Sequence, residues 1–131
     1  MGELTYLNRV PVEIDILLDS IDLGSKGKIL VIIYGTTEVK GDDIDPKSVR
    51  VGDAEIVKRG TGKRTRYMVS VGYYNGDNIL DLKFMVKTKY LKITEGEEYV
   101  VVVGQTYGGT PFAGQDTIEV VPPTWKRGAR Q

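Results

Sequence analysis

The sequence predicts an all-β protein, an antiparallel sandwich or closed barrel of roughly seven to nine short strands with extended termini. Three observations carry that reading. Apolar residues recur at every second position in several short runs, and the runs are separated by turn-forming clusters such as Gly-Asp-Asp, Asn-Gly-Asp and Gly-Gly-Thr-Pro. No stretch of useful length shows the amphipathic period of about 3.6 residues that marks a helix. At 131 residues the chain is one domain, and burying about two thirds of its unfolded surface supports a core without covalent staples. The organisation expected is an N-terminal arm over residues 1–9, a sandwich over 10–121 and a tail over 122–131.

Each element follows from local pattern. Residues 10–18 set Val12, Ile14, Ile16 and Leu18 on one face and Glu13 and Asp15 on the other, with Pro11 near the strand start or at an edge. Residues 28–34 are apolar on both faces, which places them centrally in their sheet. The loop over 36–46 holds Asp42, Asp43 and Asp45 between Gly41 and Pro46 and leads to a short strand over 49–51. Residues 54–58 and 65–73 read as arms of a hairpin, Tyr67, Val69 and Val71 sharing one face of the second arm. Asn75 and Gly76 turn the chain into a strand over 79–86, where Leu80, Leu82, Phe84 and Val86 alternate with polar neighbours. The valine run in 99–104 is a second central strand, the last strand spans 116–121, and Pro122 and Pro123 end it.

Composition excludes several functions. There is no cysteine and no histidine, so disulfides play no part and the usual near-neutral base and common transition-metal ligand are missing. Lysine plus arginine equals aspartate plus glutamate at 18 each, so the whole-molecule field favours neither nucleic acid nor an anionic membrane. No apolar run reaches the ~18 residues of a membrane span and no export signal opens the chain. Scarce glutamine beside plentiful Ile, Val, Lys, Glu and Tyr is a bias seen in thermophile proteins.

The Ile-Asp-Ile start at residues 14–16, the Asp-Ile-Asp-Pro turn at 43–46, the Asn-Gly-Asp loop at 75–77 and the Gly-Thr-Pro turn at 109–111 keep an order that resembles a family of small Ig-like β-sandwich modules from secreted and surface proteins of bacteria and archaea. The resemblance covers about residues 12–121. It implies an Ig-like fold and a non-catalytic module appended to larger extracellular proteins. The family loop able to hold calcium reads Tyr73, Tyr74, Asn75, Gly76, Asp77, Asn78 here, with tyrosine in the place of the first acidic ligand. An exterior-type module without an export signal also fits a virion component, since virions assemble inside the cell and are released later.

Four constellations are candidates. Lys58, Arg59, Lys63, Arg64 and Arg66 put five positive charges on one hairpin with no intervening acid: a docking knob for a carboxylate-rich surface, phosphate or sulfated glycan, or a solvated tip that discourages edge pairing. Opposite them stands the acidic patch of Asp42, Asp43 and Asp45. A neutral molecule with separated opposite patches can associate head to tail, a contact that salt weakens. Asn75, Asp77 and Asp81 are the candidate calcium ligands, set against an ordinary Asx turn. Tyr73, Tyr74, Tyr90, Tyr107 and Trp125 suit a sugar-binding face or serve as cross-strand cover. Trp125 in the tail, with Lys126, Arg127 and Arg130, can anchor on a neighbouring subunit or fold back on its own domain. An echo of a phosphate-binding loop at Gly60, Gly62, Lys63 and Thr65 fails, because Val57 and Arg64 occupy required positions and a strand follows where a helix must start.

No nucleophile with a base, and no singled-out carboxylate pair, points to catalysis. The expectation is a non-enzymatic structural module on the exterior of a larger assembly: a virion surface or decoration-type protein, or an extracellular filament or surface-layer subunit. Its partners are further copies or other lattice subunits. The alternative is a carbohydrate-binding or adhesive module of a secreted or cell-surface protein.

Overall fold

The computed structural model describes residues 8–17, 20–22, 27–87, 99–117 and 119–121. The described strands are β1 (Val10–Pro11), β2 (Glu13–Ile16), β3 (Ser20–Asp22), β4 (Lys28–Tyr34), β5 (Arg50–Val51), β6 (Lys58–Arg59), β7 (Arg66–Tyr67), β8 (Val69–Gly72), β9 (Asp81–Lys87), β10 (Tyr99–Gln105), β11 (Pro111–Thr117) and β12 (Glu119–Val121). Eight of them make two four-stranded sheets, ordered β2-β4-β9-β8 and β1-β11-β10-β5, while β3 with β12 and β6 with β7 form two-stranded ribbons. Taken in chain order, β2, β4, β5, β8, β9, β10 and β11 occupy the places of strands A to G in an immunoglobulin constant-type sandwich, with A, B, E and D in one sheet and C, F and G in the other. The protein is therefore an all-β, Ig-like sandwich.

The core lies between the sheets. Val31 and Ile33 of β4, Leu82, Phe84 and Val86 of β9, Val100 and Val102 of β10 and Phe112 of β11 are all buried in one cluster. Each large apolar side chain of this kind contributes about 1.5–3 kcal/mol on leaving water. Both expected central strands are central: β4 is flanked by β2 and β9, and β10 by β11 and β5.

The predicted elements shift in three places. The strand expected over 10–18 is two strands in different sheets, β1 pairing parallel with β11 and β2 pairing antiparallel with β4. Val12 marks the change, its amide bonding the Ala113 carbonyl at 2.9 Å. The passage is tight: a Cβ on Gly114 would lie 2.4 Å from the Val12 carbonyl oxygen, so only glycine lets the two strands approach. Leu18 lies outside the described residues. The last sandwich strand begins at Pro111 rather than 116, because Pro111 takes the first position of β11, where proline is tolerated, and Phe112 and Ala113 then enter the core.

The third shift concerns the basic hairpin. Its arms are only β6 and β7, two residues each, joined across a short 3-10 turn at Gly62–Arg64. Residues 54–57 and β8 do not pair with each other but line up in turn along β9: Ile56 bridges Val86, and Val69 pairs with Phe84. The edge strand is thus interrupted by the hairpin, whose base is closed by the Met68 amide on the Val57 carbonyl at 2.8 Å.

Candidate functional site

Strand order brings the β4–β5, β8–β9 and β10–β11 connections to one end of the sandwich, where their backbones are bonded together. The Gly41 amide donates to the Leu80 carbonyl at 2.7 Å, the Tyr107 amide to the Asp43 carbonyl at 2.8 Å, and the Asp45 amide to the Gln105 carbonyl at 3.0 Å. The acidic residues occupy two 3-10 turns of the β4–β5 connection, Gly41–Asp43 and Pro46–Ser48. Asp42 and Asp43 are exposed, whereas the half-buried Asp45 caps the second turn, its carboxylate accepting from the Lys47 amide at 3.1 Å. The first turn sits directly on β9, where a Cβ on Gly41 would meet the Asp81 carbonyl carbon at 2.4 Å. An open cleft of about 250 Å³ runs between this turn and the next connection, lined by Lys40, Asp42, Tyr73, Asn78, Ile79 and Leu80.

Asp81 holds that end together. It is fully buried at 0% exposure, and its carboxylate accepts from the Gly35 amide at 2.7 Å and the Tyr74 amide at 2.8 Å. A buried carboxylate persists only when such donors replace its water, and these two tie the starts of both connections to β9. The other two expected calcium ligands stand elsewhere. Asn75 and Asp77 are exposed and bond one another at 3.2 Å, and Asp77 accepts from the Ile79 amide at 3.0 Å, as an Asx turn does. Among the described residues, no three carboxylates are grouped as a metal cluster.

The basic hairpin leaves the other end of the same edge. Lys58, Arg59, Lys63, Arg64 and Arg66 are all exposed, and Lys58 Nζ lies 5.4 Å from the centre of the Tyr67 ring. The Val57 amide bonds the Met85 carbonyl, so the hairpin departs near the C-terminal end of β9, while the acidic turn sits on Asp81 at its first residue. Four residues of strand separate those points by about 13 Å.

Between the charged features lies β8, the terminal strand of its sheet, and no described strand pairs with its outer side. Val69 and Val71 pair with Phe84 and Leu82 and so point toward the core face. Yet they remain 37% and 43% exposed, because the facing sheet stops at the two-residue β5. Tyr73, 62% exposed, follows directly after the strand, and half-buried Tyr67, in β7, precedes it by two residues. This apolar edge was not singled out as a site by sequence reasoning; the shared face of Tyr67, Val69 and Val71 was its only sign there.

Of the other aromatic candidates, Tyr107 is 69% exposed beside Asp43. Tyr74 is committed to the fold, with Lys83 Nζ at 4.8 Å from its ring centre and its hydroxyl 3.1 Å from the Ser70 hydroxyl. Tyr90, Trp125, Lys126, Arg127 and Arg130 lie outside the described residues. Among those described, no helix is long and apolar enough to cross a membrane.

These features define an Ig-like sandwich with oppositely charged ends along an edge that no described strand pairs. Comparison with protein-family models, with curated proteins and with solved structures returned no match.

Proposed function

We propose that this protein is a non-enzymatic structural module that associates with further copies through its basic hairpin and its acidic turn, on the exterior of a larger assembly such as a virion, an extracellular filament or a surface layer. The observation that carries the reading is the separation of opposite charge: five cations without an acid on residues 58–66, and Asp42, Asp43 and Asp77 exposed at the far end of β8. In a molecule of zero formal net charge, such patches attract between copies without a whole-molecule repulsion to overcome. Two arrangements satisfy both patches, one stacking copies end to end and the other setting two copies side by side in opposite directions.

Salt tests it. The Debye length falls from about 30 Å at 0.01 M to about 3 Å at 1 M, so attraction between exposed patches fades across that range. Light scattering on the purified chain is expected to show association at low salt that dissolves at molar salt. A scattering mass equal to one chain at every salt and concentration rejects the reading.

A second reading has its own observation. Tyr73 and Tyr107 are the two most exposed aromatics among the described residues, and both stand beside the acidic turn, an arrangement of flat rings and carboxylates that also suits a sugar. A carbohydrate-binding or adhesive module stays monomeric and holds glycan there, which a glycan-array screen of wild type against Tyr73→Ala decides.

A further inference from the structure

We infer that β8 is a dimerisation edge, on which a second copy of this chain adds its own β8 in antiparallel orientation and joins the two four-stranded sheets into one. The inference rests on the self-association proposed above and specifies its geometry. An open strand edge offers unpaired backbone groups, and native proteins normally blunt such an edge with charge, proline or cover. Here the blunting is absent where it matters: residues 67–73 carry no charge and no proline, Val69 and Val71 are exposed apolar side chains on a single face, and exposed Tyr73 follows at the strand's end.

The occupant is named by the pattern at the two ends. A strand that pairs with its own copy in antiparallel register brings its beginning beside the other copy's end. The beginning of β8 carries the basic hairpin, and its end carries Asp42 and Lys40 beside Tyr73 in one cleft, with exposed Asp43 in the same turn and Asp77 in the adjoining one, so that acids outnumber the cation there. Antiparallel self-pairing therefore sets hairpin against acids twice. A parallel arrangement sets hairpin against hairpin.

With Ser70 on the two-fold axis, Val69 faces Val71 of the second copy and Tyr67 faces its Tyr73, so the whole apolar stripe is covered by its own repeat. Directly opposed side chains on one face of an antiparallel pair are the contacts that stabilise a sheet. The interface is isologous, the form taken by most soluble dimers. Such an edge also closes: once two copies have paired, no equivalent free strand remains on that side.

The sequence contains no cysteine, so Ser70→Cys introduces a single thiol at the axis, where opposed residues lie close enough for a disulfide. Under mild oxidation at low salt, Ser70→Cys is expected to run as a covalent dimer, whereas Thr117→Cys, exposed on the other sheet, stays monomeric. The paired change Val69→Lys with Val71→Lys is expected to weaken association at least tenfold while leaving the circular-dichroism spectrum unchanged. Equal cross-linking of the two cysteine variants overturns the inference. Association that survives both lysines but fails when Lys63 and Arg64 are made glutamate also overturns it, in favour of end-to-end stacking, and leaves the charge-driven assembly standing. A chain that is monomeric in every form removes both.

Discussion

A carboxylate whose oxygens are both engaged by backbone amides belongs to the fold, and Asp81 is such a group. Removing it leaves the Gly35 and Tyr74 amides facing a buried void, and each orphaned donor costs about 1–3 kcal/mol. Asp81→Ala is expected to destabilise by ~3 kcal/mol, a fall in melting temperature of roughly 10 °C, and Asp81→Asn by about half as much. Thermal unfolding with calcium added separates this from a ligand role: a fold-building Asp81 predicts the same loss with and without the ion. Tyr34 offers a second check. Burial raises its hydroxyl from 10.0 to about 12, assisted by the hydrogen bond to Asp15 at 3.0 Å and the nearby carboxylates of Asp81 and Glu13. The protonated ring is thus favoured in the native state, so its contribution is complete below pH 10 and is lost as pH climbs through about 12. Urea unfolding across that window is expected to show a stability loss that Tyr34→Phe removes.

At the scale of elements, alternation and turn residues located most of the sandwich in the sequence. The faces of β2 and β9, the central places of β4 and β10, and both charged features follow from side-chain period and local composition. What escapes is whatever depends on contact across the fold. Val12 looks like any inward residue of one strand, and only its bond to Ala113 reveals a change of sheet. Pro111 reads as a turn residue, yet it begins a strand, and Gly114, which local pattern gives no role, makes room for the crossing chain. Asp81 looks like a polar residue on the outward face of its strand, because alternation cannot show that the Gly41 turn covers it. The hairpin was visible, but its insertion into an edge strand was not, since period two continues on both sides of it. Of the hairpin, only Tyr67 packs against the core, and residues 58–66 are all exposed. Replacing residues 59–66 by two glycines, which keeps Tyr67 on the core and paired with Lys58, is expected to lower the melting temperature by only a few degrees and to abolish association. Calorimetry and light scattering on the same sample read the two effects separately.

For the whole molecule, zero formal net charge conceals a polar arrangement: cations at one end of an open edge, carboxylates at the other, and an apolar strand between them. The framework that separates them is β9, with the acidic turn bonded to Leu80 just before it and the hairpin base to Met85 within it. Complementary exchange of charge is the most direct measurement of the central claim. One variant carries Lys63→Glu and Arg64→Glu, the other Asp42→Lys and Asp43→Lys. Sedimentation velocity at low salt is predicted to find each variant monomeric alone and the equimolar mixture associated as strongly as wild type. A mixture that stays monomeric while wild type associates, or variants that associate alone, would contradict it.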